Sequence, residues 1–444
     1  MNMKQNLFIK LSPTQFFFKK KSSSKKQNKV NKEKSSVDSD KIISLFPDIL
    51  SGNRFICHAM EQLSLVDKFC TMAIQLDINK KHKANTKINA RNDLFKIVDL
   101  VYKKENGICG YLKNNVIGCF FIDADELSIR RIAEKIKNIF VDLSFKTITI
   151  GYALYPHINF KKCQIIENAC KALVHAFFIE SGSVIAFDAV SLHISGDQLY
   201  QNGKIDKAID EFKTALLLEP LNENIYNSLG VCYGILRDFI NAGKNFSKAM
   251  ELKPKEIMAV YNIGVVKLFT TETEKAFDCF FKAYKIKKDV FEVVFQIGKL
   301  YLEKEELQKG KFFLEQAEKI NPESRHIYRY LGNCYLLLNM TDQAVMAYKK
   351  AVKLNPNDAD SLSALGYLFG IKGEKPEIAS LLCRQSIEIS PGNGFFRHRL
   401  GYLYYKYNNI DKASEEFQNA INLGYDSSEY VKIIQKAMNS EGTE

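Results

Sequence analysis

Residues 223–256 read ENIYNSLGVCYGILRDFINAGKNFSKAMELKPKE and decide the architecture of more than half of the chain. Apolar and small side chains fall at helical spacings in two blocks separated by a short polar turn, a pattern that predicts two amphipathic helices. The first block holds Tyr226, Leu229, Gly230 and Tyr233, and the second holds Ala242, Phe246 and Ala249. Pro254 lies 34 residues after Pro220, which indicates that this helix pair repeats.

Seven copies of this helix pair follow one another when each copy is anchored on its late proline. They span residues 189–222, 223–256, 257–290, 291–324, 325–358, 359–393 and 394–427. Every copy has glycine at its eighth position: Gly196, Gly230, Gly264, Gly298, Gly332, Gly366 and Gly401. The twentieth position is Ala or Gly throughout, once the sixth copy is given one extra residue near Pro376. Small positions facing bulky ones, such as Phe246 and Tyr348, predict close packing between neighbouring helices.

This pattern resembles the tetratricopeptide repeat (TPR) in its period and in its small eighth and twentieth positions. The resemblance implies a right-handed α-solenoid of seven repeats over residues 189–427, with a concave groove lined by the first helix of each pair. It also implies binding of a protein or an extended peptide, and no catalysis. Residues 428–444 are predicted to form a solvating cap helix and a short tail.

The repeat register predicts which side chains face the groove. Positions 2, 5, 6, 9 and 12 of each first helix are expected to project into it. The candidates are Asn227, Tyr261, Asn262, Gln296, Lys299, Arg329, Tyr330, Asn333, His398, Arg399 and Tyr402. Asn and Gln suit hydrogen bonds to a bound backbone, Arg suits a carboxylate, and Tyr combines an apolar ring with a polar tip. The groove is expected to be more basic toward its C-terminal half.

The segment before the repeats has a different pattern. A turn and helix begin near Phe46, 70–78 and 145–156 are predicted strands, and 110–123 is a predicted hairpin. Helices are predicted between these strands and after the last of them, and SVIAFD (183–188) closes the segment as a short strand. The fold class is therefore α/β over residues 46–188, followed by an all-α array.

The order of motifs in 46–188 resembles the diguanylate cyclase (GGDEF) domain. TITIGYA (147–153) is similar to a late strand of that family, and Ala169–Leu173 to its ADxAL helix. Asp48, Leu50, Ser51, Gly52, Asn53 and Arg54 keep a shortened version of its opening turn. The resemblance implies vestigial nucleotide-binding positions at Asp77, Asn85, Asp93 and Lys113, and homodimerisation through this domain.

The cyclase signature itself is missing. At the hairpin tip, where the family has Gly-Gly-Asp/Glu-Glu-Phe, this chain has Leu112-Lys113-Asn114-Asn115-Val116. Two Mg²⁺ ions need several oxygen ligands, so Asp77 opposite Lys113 is not expected to hold them beside a polyphosphate. We expect no cyclase activity, no metal and no cofactor. Two hypotheses stay open: a scaffold that makes protein contacts, or a regulator whose GGDEF-like domain senses GTP or cyclic di-GMP.

Composition narrows the remaining function classes. The formal charge is +12, but residues from 189 onward hold 33 basic and 33 acidic residues, so the excess lies in the N-terminal part. Residues 1–45 are predicted to be a disordered basic tail with at most nonspecific, salt-sensitive contact to nucleic acid. The ten cysteines show no metal-ligand spacing and indicate reduced thiols in a cytoplasmic protein. No segment has the length and apolarity that predict a membrane span.

Overall fold

The computed structural model describes residues 50–77, 94, 96–99, 105, 107–112, 116–144, 146–373 and 375–441. The predicted basic tail, residues 1–45, lies outside the described residues. The chain divides into two compact units, residues 1–270 and 271–444, called unit 1 and unit 2 below. The boundary predicted at 188/189 falls inside unit 1, and the predicted domain limits stay predictions.

Unit 1 opens with helices and strands that form a small α/β region. In chain order they are α1 (Gly52–Gln62), β1 (Phe69–Leu76), β2 (Gly107–Tyr111), β3 (Ile117–Ile122), α2 (Glu126–Ser144), β4 (Ile148–Tyr155), α3 (Lys162–Ile179) and β5 (Val184–Ala186). Residues 94 and 96–99 are helical as well. Described helices and strands thus occur in the order that the sequence predicts.

The five strands form one sheet in the order β2-β3-β1-β4-β5. The pairs β2–β3, β3–β1 and β1–β4 are antiparallel, and β5 runs parallel to β4. Alternate residues of β1 enter different cores: Met72 and Ile74 pack with α2, whereas Phe69 and Ala73 pack with α1 and α3. Both faces of the sheet are therefore covered by helices.

Gly151 explains how α3 reaches the sheet. A Cβ atom built on Gly151 would lie 2.0 Å from the backbone nitrogen of Leu173 and 2.4 Å from the backbone oxygen of Ala169. Backbone atoms cannot move aside as a flexible side chain could, so the strand needs glycine there. The glycine in TITIGYA is therefore a packing requirement.

Fourteen repeat helices and one C-terminal helix follow in the described residues. Unit 1 contains α4 (Ala189–Gln201), α5 (Ile205–Leu218), α6 (Glu223–Ile235), α7 (Phe239–Leu252) and α8 (Ile257–Phe269). Unit 2 contains α9 (Thr273–Ile286), α10 (Phe291–Glu303), α11 (Leu307–Ile320), α12 (Arg325–Leu337), α13 (Thr341–Leu354), α14 (Ala359–Lys372), α15 (Pro376–Ile389), α16 (Gly394–Lys406), α17 (Ile410–Asn422) and α18 (Ser428–Glu441).

Several eighth-position glycines lie against a side chain of the next helix. A Cβ on Gly230 would lie 2.5 Å from the ring of Phe246, and one on Gly332 would lie 2.7 Å from the ring of Tyr348. In the sixth copy the corresponding contact of Gly366 is Cys383, at 2.7 Å. Cys383 is displaced by one position along its copy, as the extra residue near Pro376 requires.

The turn after each first helix has a backbone feature that the repeat pattern does not predict. The fifteenth residue of every copy has a positive φ, between 58° and 74°. These residues are Gly203, Arg237, Thr271, Glu305, Asn339, Gly373 and Asn408. This left-handed conformation ends the first helix and is easy only for glycine and, to a lesser extent, asparagine.

Candidate functional site

The first helices of neighbouring repeats contact one another in unit 2, where α10 contacts α12, α12 contacts α14, and α14 contacts α16. They form one layer, and the second helices pack behind it. We define the inner face of unit 2 as the following exposed or partly exposed residues of that layer: Phe295, Lys299, Arg329, Tyr330, Asn333, Tyr367 and Tyr402.

Near the N-terminal end of this face, two cationic side chains lie over the ring of Tyr330. The ring of Tyr330 meets the ring of Phe295 edge-on, with centroids 5.2 Å apart. Arg329 and Lys299 lie over the Tyr330 ring at 5.3 Å and 6.0 Å from its centroid. Lys299 also pairs with Glu303, so part of its charge is neutralised inside its own helix.

Arg329 links two repeats. Its Nη1 donates to Oδ2 of Asp360 over 3.0 Å and lies 3.6 Å from Oδ1 of Asp358. The Asp360 side chain is 59 % exposed, whereas the side chains of Arg329 and Asp358 are only 13 % and 10 % exposed, so the guanidinium is largely covered and only Asp360 reaches water.

Arg399 is placed differently from Arg329, although both were predicted to project into the groove. It is 9 % exposed, donates from Nη1 to Oγ of Ser363, and lies 4.2 Å from the ring centroid of Phe395 and 5.3 Å from that of Tyr367. Burial lowers its pKa from the ordinary value. Arg399 thus holds α16 against α14 and offers little surface to a ligand.

The C-terminal part of the face is aromatic. Tyr367 and Tyr402 lie with ring centroids 5.3 Å apart on α14 and α16.

Asn333 is exposed, and its Oδ1 accepts a hydrogen bond from Oη of Tyr348. His398 contacts the C-terminal cap instead, because its Nδ1 lies 2.8 Å from Oγ of Ser427 and its ring packs on Tyr430.

The four remaining groove candidates are buried. Asn227, Tyr261, Asn262 and Gln296 are 3 % exposed or less. Asn262 donates from Nδ2 to Oδ1 of Asn227 over 3.0 Å, which ties α8 to α6. Oε1 of Gln296 has no hydrogen-bond partner among the described residues. In this structure Asn227 and Asn262 therefore join two first helices.

Of the four predicted nucleotide-binding residues, Asp77 is the one that the structure describes. Asp77 accepts hydrogen bonds on both carboxylate oxygens, from Oγ1 of Thr149 over 2.7 Å and from the backbone N–H of Gly182 over 2.9 Å. This carboxylate therefore ties β1 to β4 and to the turn before β5. Asn85, Asp93 and Lys113 lie outside the described residues. Within the described part of the chain, no cluster of His, Cys, Asp or Glu has the arrangement of a metal site.

Two residues of the face were absent from the sequence-based candidates. Phe295 and Tyr367 occupy the fifth and ninth positions of their first helices, the same register positions that supplied the candidates. The signal was thus present in the repeat register. What the register could not show is which of these positions stay exposed after packing.

Comparisons with protein families address the repeats. Models described as tetratricopeptide repeat match residues 223–256, 291–324 and 327–358, and one described as TPR repeat matches residues 196–234. The chain contains tetratricopeptide repeats. All of these TPR matches lie within the array of helix pairs.

Individual proteins share parts of the TPR region. The peroxisomal targeting signal receptor of Candida albicans is 37 % identical over 70 residues, which cover 16 % of this chain and only 12 % of that relative. YrrB, described as a TPR protein with an unusual peptide-binding site, is 23 % identical, with 45 % of this chain and 100 % of YrrB covered and a TM-score of 0.38. The pilF protein of Pseudomonas aeruginosa is 20 % identical, with 48 % of this chain and 97 % of pilF covered and a TM-score of 0.43.

Within the described residues, no helix combines the length and apolarity needed to cross a membrane.

Proposed function

We propose that the chain is a non-catalytic interaction protein that binds an extended segment of a protein partner on the inner face of unit 2. One observation carries the proposal: partly exposed rings and cations recur on the first helices of successive repeats. Proteins with tetratricopeptide repeats bind protein or peptide partners, which supports this assignment of function.

The chemistry of the inner face suits a peptide. Tyr367 and Tyr402 offer apolar rings together with hydroxyl groups that can meet a backbone amide. Asn333 is exposed and can hydrogen-bond to an extended backbone. Arg329 can pair with a ligand carboxylate that takes the place of Asp360, the exposed partner of this ion pair.

We further propose that residues 46–188 form a catalytically inactive GGDEF-like domain that serves as a scaffold. The predicted order of helices and strands, including the hairpin, supports the resemblance. The two internal hydrogen bonds of Asp77 favour a structural use of that carboxylate. Incubation with GTP and Mg²⁺ or Mn²⁺ should yield no cyclic dinucleotide; turnover that Asp77→Ala removes would contradict this assignment. Homodimerisation through this domain and nucleic-acid contact through residues 1–45 stay predictions.

Peptides selected from a random displayed library against the full chain provide the test of the binding face. Phe295→Ala and Asn333→Ala should each lower the affinity for the selected peptide by about tenfold, because a lost contact of this kind costs on the order of 1–3 kcal/mol. Titration calorimetry gives the affinity, and a melting curve shows whether each variant stays folded.

Phe312→Ala is the matched control, because Phe312 lies in the same repeat as Phe295 but on the second helix, where it is 52 % exposed. It should leave the affinity unchanged. A peptide that loses affinity with Phe312→Ala, but binds Phe295→Ala and Asn333→Ala normally, would place recognition on the second helices. Arg399→Ala is unsuitable for this test, since its burial makes a folding defect the expected result.

A further inference from the structure

A polar cavity of about 200 Å³ lies in unit 1, where α3 meets the first repeat. Its apolar wall includes Phe160 and Leu192, and its polar lining comes from α3 and α5. The remaining lining residues are Gln164, Glu167, Asn168, Lys171, Asp210, Glu211 and Thr214. A second cavity of about 170 Å³ adjoins it and shares Glu167 and Lys171. Neither cavity belongs to the inner face described above.

Two buried polar atoms in the lining have no partner among the described residues. One is Nδ2 of Asn168, whose side chain is 1 % exposed, and the other is Oε2 of Glu211. A buried donor or acceptor without a partner is costly, and native proteins rarely keep one without a reason. The cavity therefore presents a donor and an acceptor that the fold itself does not use.

The charge of the lining selects the ligand. Lys171 is the cation of the lining, and its Nζ lies 2.7 Å from Oε1 of Glu211 and 3.6 Å from Oε1 of Glu167. Glu167, Glu211 and Asp210 supply three carboxylates against this one ammonium group. The excess negative charge favours a positively charged guest. Asp210 is exposed, so the cavity opens to solvent at that residue.

The size of the cavity also limits the ligand. A cavity of 150 Å³ accommodates benzene, so about 200 Å³ corresponds to roughly eight non-hydrogen atoms. Phe160 and Leu192 would contact a short methylene chain.

We propose that this cavity binds a small primary amine that also carries a hydroxyl or carbonyl oxygen. The ammonium group donates to Oε2 of Glu211, and the ligand oxygen accepts from Nδ2 of Asn168. Such a ligand would contact α3 and α5 at once, and so would join the α/β region to the first repeat. This site is independent of the proposed peptide-binding face in unit 2.

Three probes of equal size test the proposal on the full chain: 5-aminopentan-1-ol, hexylamine without the oxygen, and pentane-1,5-diol without the amine. Ligand-observed NMR titration should show the amino alcohol binding at least tenfold more tightly than the diol and at least threefold more tightly than hexylamine. Equal affinities for the three probes, or no binding of the amino alcohol, would overturn the proposal.

Variants assign each contact. Glu211→Gln should remove the advantage of the amino alcohol over the diol, and Asn168→Leu should remove its advantage over hexylamine. Glu251→Gln is the matched control, because Glu251 is an exposed partner of Lys248 on α7, outside the cavity, and all three affinities should persist there. If Glu211→Gln fails to fold, Asn168→Leu still decides: an unchanged preference for the amino alcohol in that variant contradicts the site.

Discussion

Asp188 shows how one side chain holds the start of the repeats. It is the N-cap of α4, and its Oδ1 accepts hydrogen bonds from the backbone N–H and from Oγ of Ser191, both over 2.7 Å. Nδ1 of His175 on α3 lies 3.2 Å from the same oxygen. Burial alone would raise the pKa of Asp188, but the bonds from His175 and Ser191 lower it below its ordinary value.

We predict that Asp188→Asn reduces stability at pH 7 and that this loss disappears in acid, because Asn caps a helix about as well as Asp but carries no charge to pair with His175. A carboxylate with a lowered folded-state pKa stabilises the fold above its unfolded pKa of about 3.9, and the contribution is lost as the pH falls through the folded value. Denaturant melts of both proteins between pH 7 and pH 3 check this. A difference that grows below pH 4 would contradict the assigned sign.

Gly332 is a second case in which a single residue controls packing. A methyl group added there would lie 2.7 Å from the ring of Tyr348. Gly332→Ala should lower the free energy of unfolding by about 1–3 kcal/mol, the usual cost of overpacking. Gly392 is the matched control, since a Cβ there meets nothing within 4 Å. Comparable losses in both variants would show that tight packing at the eighth position is not the cause.

At the scale of elements, each helix pair depends on a turn residue with left-handed backbone. Glu305 and Asn339 occupy equivalent turns, with φ values of 60° and 59°. Their N–H groups make equivalent bonds, to the backbone oxygens of Leu302 and Leu336, each over 3.0 Å. The two turns differ mainly in how well the residue tolerates this conformation, because asparagine adopts it more easily than glutamate.

We predict that Glu305→Gly raises the free energy of unfolding by about 0.5–1 kcal/mol, whereas Asn339→Gly changes it little. Relief of left-handed strain gains about 1–2 kcal/mol, and the added freedom of the unfolded chain offsets part of it. Chemical denaturation of the two variants measures the difference. The interpretation fails if Asn339→Gly stabilises the protein as much as Glu305→Gly does.

At the scale of the whole molecule, unit 1 and unit 2 each contain a cover for a terminal helix pair. In unit 1, one hydrophobic core runs from Phe55 and the sheet through α3 to Phe212 and Cys232 of the first two repeats. In unit 2, Ile434 and Tyr430 of α18 pack against Phe417 of the last repeat. A repeat stack needs such covers, because its terminal helices would otherwise expose apolar faces.

The C-terminal cover should be sensitive to pH. Burial, followed by the charge of Arg399, lowers the pKa of His398, and burial likewise lowers the pKa values of His157 and His326. Below about pH 6.5 the unfolded chain therefore binds more protons than the folded chain does. Stability should be complete above the unfolded pKa of about 6.5 and fall as the pH decreases from there toward the lower folded values.

We expect His398→Gln to reduce the loss of stability between pH 6.5 and pH 5, by no more than about 1.4 kcal/mol per pH unit. Melting curves across this range, with His326→Gln as a second variant, measure the contribution of each imidazole. A wild-type protein with constant stability over this range would contradict the lowered pKa values.

The sequence by itself determined the repeats and their register. Gly230 and Phe246 belong to one copy, and helical periodicity and small residues at fixed spacing act over short stretches of chain, so a local pattern suffices. The same locality explains why the order of helices and strands in the α/β region could be predicted. The extra residue of the sixth copy was also visible, because it displaced Ala379 and Cys383 by one position.

Only the tertiary structure decided which register positions remain exposed. Arg329 and Arg399 look alike in the sequence, yet Arg329 pairs with the exposed Asp360, whereas Arg399 is buried and donates to Ser363. Their difference depends on side chains of other repeats. The cavity of Asn168 and Glu211 likewise requires α3 and α5 to meet, 43 residues apart in the chain. Exposure and unpaired groups arise from such long-range packing, which a local spacing does not encode.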